Sequence, residues 1–200
     1  MDEMLTRINQ LYPNCGYVQI RAYDAELWEG KEYDSRMENK APMTQWRTSP
    51  LTFEQAVKYA DRIGWIVPEG YVVVDVDNED HPESSAYVER ILNELGIKYS
   101  YNRTSRGVHF LFKDEHFAIP SDAVTKCALG ITVDHRANKK GYIILPTNDP
   151  HRSWGEWVDE VEDIPAFLKP VMVAKNQIEP FIGMGEGEGR NDALFKWRTK

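Results

Sequence analysis

Apolar residues recur in three parts of the chain at the spacing that places them on one face of a helix. These parts are residues 5–11, 53–63 and 82–95. The second follows Thr52, which with Gln55 has the pattern of a capping box. The third carries Tyr87, Ile91 and Leu95 on its apolar side and ends at Gly96, a residue type that often terminates helices. The pattern therefore predicts three helices.

Short apolar and β-branched runs, separated by turn-forming residues, predict strands. One strand is expected at residues 16–23. Three further pairs have the length and spacing of hairpins, and they are 63–67 with 71–76, 98–103 with 108–113, and 131–136 with 141–145. Because strands dominate the middle of the chain and helices flank them, we predict an α+β fold with a largely antiparallel sheet.

Other segments show no period of either kind. Residues 26–50 are polar and predict a long loop, a feature that is often functional. A short helix interrupted by two prolines is expected at 164–173, and four glycines within 183–189 predict a linker. We therefore expect one domain at 1–180, and at 181–200 a linker with the start of a helical region from a longer protein.

The composition indicates a globular protein. Hydrophobic residues make up 42% of the chain and include six Trp, which suffices for a sizeable core. No apolar run is long enough to span a membrane, and the acidic N-terminus is unlike a signal peptide, so we expect a soluble, cytosolic protein. Cys15 and Cys127 stand alone without a CxxC pair, which favours core thiols over a zinc site.

The charge is unevenly distributed along the chain. The net charge of −8 argues against a nucleic-acid partner, because phosphate contacts need Lys and Arg. Residues 98–152, however, contain nine basic and five acidic residues, a surplus of four positive charges. This region suits a phosphate-bearing ligand, although such clustering is also typical of a solvated surface.

The run of residues 72–77 is the segment richest in candidate chemistry. A strand alternates its faces with a period of two, so Asp75 and Asp77 project from the same side. Their Cα atoms would lie about 6.5 Å apart, and two carboxylates at this spacing suit Mg²⁺ or Mn²⁺. The alternative is that the strand simply ends in the acidic turn at 77–80.

A second candidate segment spans residues 104–112. Gly107 would let the backbone approach a ligand closely, because it has no side chain. Ser105, Arg106 and His109 offer hydrogen-bond donors suited to phosphate. A single His on a strand is more often a structural residue, but the neighbouring Ser-Arg-Gly turn favours a binding role.

A third segment, 131–136, places Asp134 on a strand, where by itself it would be a surface acid near a turn. In this order the three segments resemble the archaeo-eukaryotic primase superfamily, most closely the primase-polymerase domains of bacterial phages, plasmids and mobile elements. That family has a D-x-D motif, then a small-residue-x-His motif, then an Asp followed by Arg and a Gly-Tyr segment. The matching positions here are Asp75, Asp77, Gly107, His109, Asp134, Arg136 and 141–146.

Two flanking segments, 40–46 and 189–195, are similar to further signatures of that family, so the resemblance covers residues 15–197. The chain also departs from the family pattern. Gly107 stands where many members have Ser, which leaves hydroxyl contact with the triphosphate to Ser105. Lys140 stands where Gly is common, and we expect it to contact phosphate instead.

The resemblance implies a primase-polymerase fold, in which an RRM-like sheet carries the carboxylates and an N-terminal αβ unit packs beside it. It implies a DNA primase/DNA polymerase that adds dNTPs or NTPs to a 3′-hydroxyl on a single-stranded or primed DNA template. Asp75, Asp77 and Asp134 would be catalytic and would hold two divalent ions, Mg²⁺ or Mn²⁺. The implied nucleotide-binding residues are His109, Ser105, Arg106, Gly107, Arg136 and Lys140.

The resemblance also implies a role in phage or mobile-element replication, with a helical region and a helicase domain in the full-length protein. We expect the catalytic domain to be a monomer. Two alternatives use the same residues differently. The first is a metal-dependent nuclease or phosphohydrolase whose carboxylates activate water, and the second is an inactive DNA-binding replication module.

Overall fold

The computed structural model describes residues 2–79 and 81–171. The helices are α1 (Glu3–Leu11), α2 (Phe53–Tyr59) and α3 (Ser84–Glu94), with single 3₁₀ turns at Glu26–Trp28 and Ala166–Leu168. The strands are β1 (Tyr17–Ile20), β2 (Arg62–Ile66), β3 (Tyr71–Asp77), β4 (Ser100–Arg103), β5 (Gly107–Lys113), β6 (Asp122–Lys126), β7 (Thr132–Ala137), β8 (Tyr142–Ile144) and β9 (Ser153–Trp154). No helix within these residues is long and apolar enough to cross a membrane.

The first two helices begin at side-chain caps. The Asp2 carboxylate accepts hydrogen bonds from the backbone N–H groups of Met4 and Leu5, which have no partners within α1. The Thr52 hydroxyl accepts a hydrogen bond from the Gln55 backbone, and the Gln55 side chain accepts one from the Thr52 backbone. The predicted capping box is therefore confirmed.

The strands form two antiparallel sheets. The larger sheet has six strands in the order β6-β7-β3-β5-β4-β9, and the smaller has the order β1-β2-β8. The predicted hairpin of β4 and β5 is confirmed, and its turn is closed by a hydrogen bond from Thr104 N–H to the Gly107 carbonyl. The α+β class with a mostly antiparallel sheet is likewise confirmed.

Two of the predicted hairpins are wrong. Strands β2 and β3 follow one another in sequence but lie in different sheets, and so do β7 and β8. The reason is that β3 is paired on both edges, with β5 and β7, and has no free edge for β2. All five residues of β2 are buried, and the strand obtains its partners from β1 and β8 instead.

The predicted apolar face of α3 is also wrong. The side chains of Val88 and Leu92 are fully buried against the larger sheet, whereas Tyr87 is 46% and Leu95 is 61% exposed. Ile91, the third residue of the predicted face, is half-buried. Both faces carry apolar residues four positions apart, so periodicity cannot choose between them. The predicted end of the helix is confirmed, because Gly96 has a φ of +67°, which favours glycine.

The predicted helix at 164–173 is wrong for its described part, which contains only the 3₁₀ turn at Ala166–Leu168. Pro165 precedes this turn and Pro170 follows it. Proline lacks an N–H group and disfavours helical backbone in the residue before it, so a longer helix cannot form here. The compact unit ends at Pro170, and the predicted limits at 180 and 183–189 lie outside the described residues.

The two faces of β3 contribute to different cores. Val72, Val74 and Val76 pack with α3 on one face of the larger sheet. On the opposite face Val73 packs into a second core with β2, β8, α1 and α2. Because strand side chains alternate, Asp75 lies on the same face as Val73, the face turned toward the smaller sheet.

The buried face of α3 can be tested with two leucine variants. Leu92→Ala should destabilise the protein by about 2–5 kcal/mol, because it removes fully buried apolar atoms and leaves a cavity. Leu95→Ala should change the free energy of unfolding by no more than about 0.5 kcal/mol, because its side chain is exposed. Urea unfolding of both variants measures the difference, and equal losses would contradict the observed orientation of α3.

Candidate active site

A cavity of about 560 Å³ lies where the larger sheet, the smaller sheet and the long loop meet. Residues of β3, β5 and β7 line it from one side and residues of β8 from the other. Its charged lining residues are Asp75, Asp77, Asp122, Lys40, Arg47, Arg106, Arg136, Lys140 and Arg152. Six cations against three carboxylates make the lining suitable for an anion such as a triphosphate.

The register of three strands brings the predicted acids and the histidine together. Asp75 lies directly opposite His109 on β5 and directly opposite Asp134 on β7. Residues that face each other across antiparallel strands project from the same side, and Asp77 shares that side by alternation. The His109 Nε2 atom lies 3.3 Å from Asp75 Oδ2. The structure therefore collects these residues on one face.

The close pairing of β3 and β5 requires a glycine at position 107. It faces Asp77 across the β3–β5 pair, and a Cβ atom placed on it would lie only 1.9 Å from the carbonyl oxygen of Val76. A serine at this position would force the two strands apart. The departure from the family pattern is therefore explained by the close approach of the backbones.

Residues 24–167 match the model of the protein family described as bifunctional DNA primase/polymerase, N-terminal. The match includes every residue that the sequence analysis selected for the site. The chain belongs to this family. A search of curated proteins found no match. Family membership indicates DNA primase/polymerase activity and a nucleotidyltransferase type of enzyme, with DNA and nucleotides as substrates.

Of the nucleotide-binding residues predicted for this primase/polymerase domain, five line the cavity. They are Ser105, Arg106, His109, Arg136 and Lys140. Gly107 does not, and instead borders a neighbouring cavity on the other side of the Thr104–Arg106 turn. The structure thus groups the selected side chains around one space, while their contacts with a nucleotide stay predictions.

The two carboxylates of β3 differ in their electrostatic environment. Burial and the adjacent Asp75 carboxylate raise the pKa of Asp77, against the opposing influence of Arg106, whose Nη2 lies 2.8 Å from Asp77 Oδ2. Burial also acts to raise the pKa of Asp75, but the nearby His109 ring outweighs it and the net pKa is lowered. The surroundings of Asp75 therefore stabilise its ionised form. The surroundings of Asp77 destabilise its ionised form relative to an aspartate in water.

Asp134 shares the sheet face but has other partners. One of its carboxylate oxygens accepts a hydrogen bond from the Val124 backbone at 2.7 Å, and the other lies 2.8 Å from Arg136 Nη2. Among the described residues, no three His, Cys, Asp or Glu side chains are grouped closely enough to hold a metal ion. The role of Asp134 as a third metal ligand therefore stays a prediction.

Primase/polymerase family members generally use divalent metals, and the β3 pair fits such an ion. Asp75 Oδ1 is buried and has no hydrogen-bond partner among the described residues, so one hard oxygen donor is unused. Asp77 offers a second donor two residues along the strand. For Asp134 to join them, its carboxylate would have to leave Arg136 and the Val124 backbone.

The sequence analysis missed several lining residues. Lys40 entered it only as part of the 40–46 segment, and Arg152 only as one of the basic residues within 98–152. Trp46 and Tyr142 also line the cavity, with ring centroids 5.1 Å apart in an edge-to-face arrangement. The family segments at 40–46 and 141–146 were the signals that could have identified Lys40, Trp46 and Tyr142, whereas Arg152 had no signal beyond its charge.

The close approach at Gly107 generates a stability prediction. Gly107→Ser should destabilise the domain by about 1–3 kcal/mol, because the new Cβ overlaps the Val76 carbonyl and the strand pair must distort. Ser105→Ala is the matched control, since it alters a hydroxyl in the same turn, outside the register of the β3–β5 pair. Thermal unfolding of both variants measures the effect. Unchanged stability of Gly107→Ser would contradict the observed spacing of the strands.

The raised pKa of Asp77 generates a pH-dependent prediction. A carboxyl group whose pKa is higher in the folded state favours folding when protonated, and that advantage is lost as the pH rises through the folded pKa. Asp77→Asn mimics the protonated form, so without metal its melting temperature should exceed that of the wild type at neutral pH. The excess should shrink as the pH falls below the ordinary carboxyl range.

Differential scanning calorimetry in EDTA at neutral and acidic pH measures this difference. Asp159→Asn serves as the control, because Asp159 is on the surface, 86% exposed. A melting temperature of Asp77→Asn that is below the wild type at neutral pH would show that the bond to Arg106 outweighs burial and repulsion.

Proposed function

We propose that this domain adds nucleotides to a 3′-hydroxyl on a DNA template, with Asp75, Asp77 and Asp134 as the catalytic carboxylates that hold divalent ions. The observation that carries the proposal is the cavity itself, in which an aspartate pair on a rigid strand faces six cationic side chains. The carboxylates suit hard cations, and the surrounding cations suit a triphosphate. Membership of the primase/polymerase family supports the same reaction.

The proposed reaction is a phosphoryl transfer. The oxygen of the primer 3′-hydroxyl forms a bond to the α-phosphorus of the nucleotide, and the bond from that phosphorus to the pyrophosphate oxygen breaks. The proton of the hydroxyl is lost to solvent, and pyrophosphate leaves. Bound divalent ions supply the lowered hydroxyl pKa and the neutralisation of phosphate charge that this reaction needs.

The protein's own side chains orient the reactants. Asp75 and Asp77 keep their positions because β3 is paired on both edges. We assign His109, Ser105 and Arg106 to the triphosphate, with Arg136 and Lys140 in supporting positions. The His109 ring is buried and its Nδ1 atom has no partner among the described residues. When Nδ1 carries a proton, it would donate a hydrogen bond to a phosphate oxygen, while Nε2 faces Asp75.

The finer parts of the proposal follow from the same resemblance. The template would contact the positively charged surface of residues 98–152, mainly through its phosphates. The protein would act in phage or mobile-element replication, as a monomeric catalytic domain, with a helical region and a helicase domain in the full-length chain. Either dNTPs or NTPs could be the substrate, with Mg²⁺ or Mn²⁺.

Primer extension tests the proposal. A primed template, a single-stranded template, dNTPs, NTPs, Mg²⁺ and Mn²⁺ are supplied in separate combinations, with the primer labelled at its 5′ end. Wild-type protein should lengthen the primer. Asp75→Ala, Asp77→Ala and Asp134→Ala should each slow extension by at least about 100-fold, because each removes a charge needed in the transition state.

The matched control is Asp159→Ala, which removes an exposed aspartate that pairs with Arg7 away from the cavity. It should extend primers at the wild-type rate. Shortening of the labelled primer would instead support the nuclease alternative. Binding of DNA without extension under every condition would support the inactive replication module.

A further inference from the structure

Strand β6 contains a β-bulge directly opposite Asp134, and the proposed function does not use it. The register of β6 on β7 shifts by one residue between Asp122 and Thr125. The two residues in between, Ala123 and Val124, therefore face the single residue Asp134, and we refer to them as the β6 bulge. Bulges re-aim the groups that they carry and are common beside active sites. This one borders the candidate cavity, which Asp122 and Ala123 line.

The backbone of Val124 has a conformation that is costly for a β-branched residue. Its φ is +56°, in the left-handed region that favours glycine. Its side chain is 78% exposed, so packing does not compensate the cost. A strained backbone persists only where the surrounding structure imposes it, and such positions are frequent at functional sites. The folded chain therefore accepts an unfavourable backbone conformation at the edge of the cavity.

This conformation gives Asp134 a hydrogen bond on the side away from the aspartate pair of β3. The Val124 N–H donates to Asp134 Oδ1 at 2.7 Å. Strand β7 lies between β6 and β3, so the bond draws the carboxylate toward β6 and away from Asp75, the residue opposite Asp134 on β3. Arg136 Nη2 lies 2.8 Å from the other oxygen, Oδ2. Both oxygens of Asp134 are therefore occupied.

We propose that the β6 bulge holds Asp134 apart from Asp75 and Asp77 in the metal-free protein and releases it when a divalent ion binds, with Val124 as a positioning residue. The inference rests on the proposed function, which makes Asp134 a ligand of that ion. Release of Asp134 frees the Val124 N–H, and the backbone can then return to an extended conformation. Relief of the strain adds to the affinity for the ion, because only the metal-free state bears the cost.

The proposal requires stability and metal affinity to change in opposite directions in Val124→Gly. Glycine adopts positive φ without steric cost, so the variant lacks the strain of the metal-free state. Its melting temperature in EDTA should therefore rise by about 2–4 °C. The variant also has no strain to release, so its affinity for Mn²⁺ should fall by about tenfold. Electron paramagnetic resonance of free Mn²⁺ measures the affinity without turnover, and calorimetry measures the melting temperature.

Two further variants serve as controls. Val124→Ala truncates the side chain but keeps Cβ, the source of the strain, so both its melting temperature and its Mn²⁺ affinity should stay close to the wild type. Phe117→Gly relieves another left-handed backbone, with a φ of +51°, at a residue that does not line the candidate cavity. It should leave the affinity for Mn²⁺ unchanged.

Hydrogen exchange of the Val124 amide gives a second readout, which needs no variant. In EDTA the amide should exchange slowly, because the Asp134 carboxylate accepts its hydrogen bond. At saturating Mg²⁺ it should exchange at least about tenfold faster, because that bond is lost. The Phe117 amide donates to the Asp114 carbonyl oxygen at 2.9 Å and should exchange at the same rate in both conditions.

Three results would overturn the proposal. The first is wild-type Mn²⁺ affinity in Val124→Gly, and the second is a melting temperature of that variant in EDTA at or below the wild type. The third is equal exchange of the Val124 amide with and without Mg²⁺. A loss of Mn²⁺ affinity in Val124→Ala as large as in Val124→Gly would also refute it, because the side chain and not the backbone would then be responsible.

Primer extension by the wild type, run in parallel, separates this inference from the proposed function. Extension together with unchanged Mn²⁺ affinity in Val124→Gly refutes the role of the β6 bulge alone. Weakened Mn²⁺ binding and a raised melting temperature in Val124→Gly, without any wild-type extension, support that role and refute the polymerase assignment. Failure of the wild type to bind Mn²⁺ refutes both.

Discussion

The pairing of β3 with strands on both edges is the constraint on which the candidate site depends. Between β5 and β7 the strand cannot slip, because a shift by one residue would turn Asp75 and Asp77 into the core against α3 and would turn Val74 and Val76 toward the cavity. The same pairing brings His109 and Asp134 opposite Asp75. The packing of the valines of β3 therefore fixes the positions of Asp75 and Asp77.

Each of the three carboxylates lies beside a basic side chain of the protein. His109 lies next to Asp75, Arg106 next to Asp77 and Arg136 next to Asp134. These pairs compensate the cost of placing three acids on one sheet face. Under the proposed function, a divalent ion would compete with Arg106 and Arg136 for these oxygens, and a triphosphate would offer the two arginines new partners. The acidic and basic side chains of the site therefore stabilise one another.

Local signals in the sequence predicted the features that depend on neighbouring residues. The capping box at Thr52 and Gln55 was confirmed because a helix start is stabilised within one turn of the chain. The shared face of Asp75 and Asp77 follows from the pleat of a single strand, and the β4–β5 hairpin from a short turn. The order of the motifs also sufficed for the family, which the match over residues 24–167 confirmed.

What the sequence by itself determined is therefore the class of the fold, the family, and which strand residues share a face. Only the tertiary structure decided which strands pair, because β2 and β8 leave their predicted partners once both edges of β3 are occupied. It also decided that Lys40 and Arg152, more than 100 residues apart in the chain, meet at one cavity. The hydrophobic periodicity of the sequence cannot predict that these two residues line the same cavity. Their proximity depends on the packing of two sheets and on buried ion pairs between distant segments.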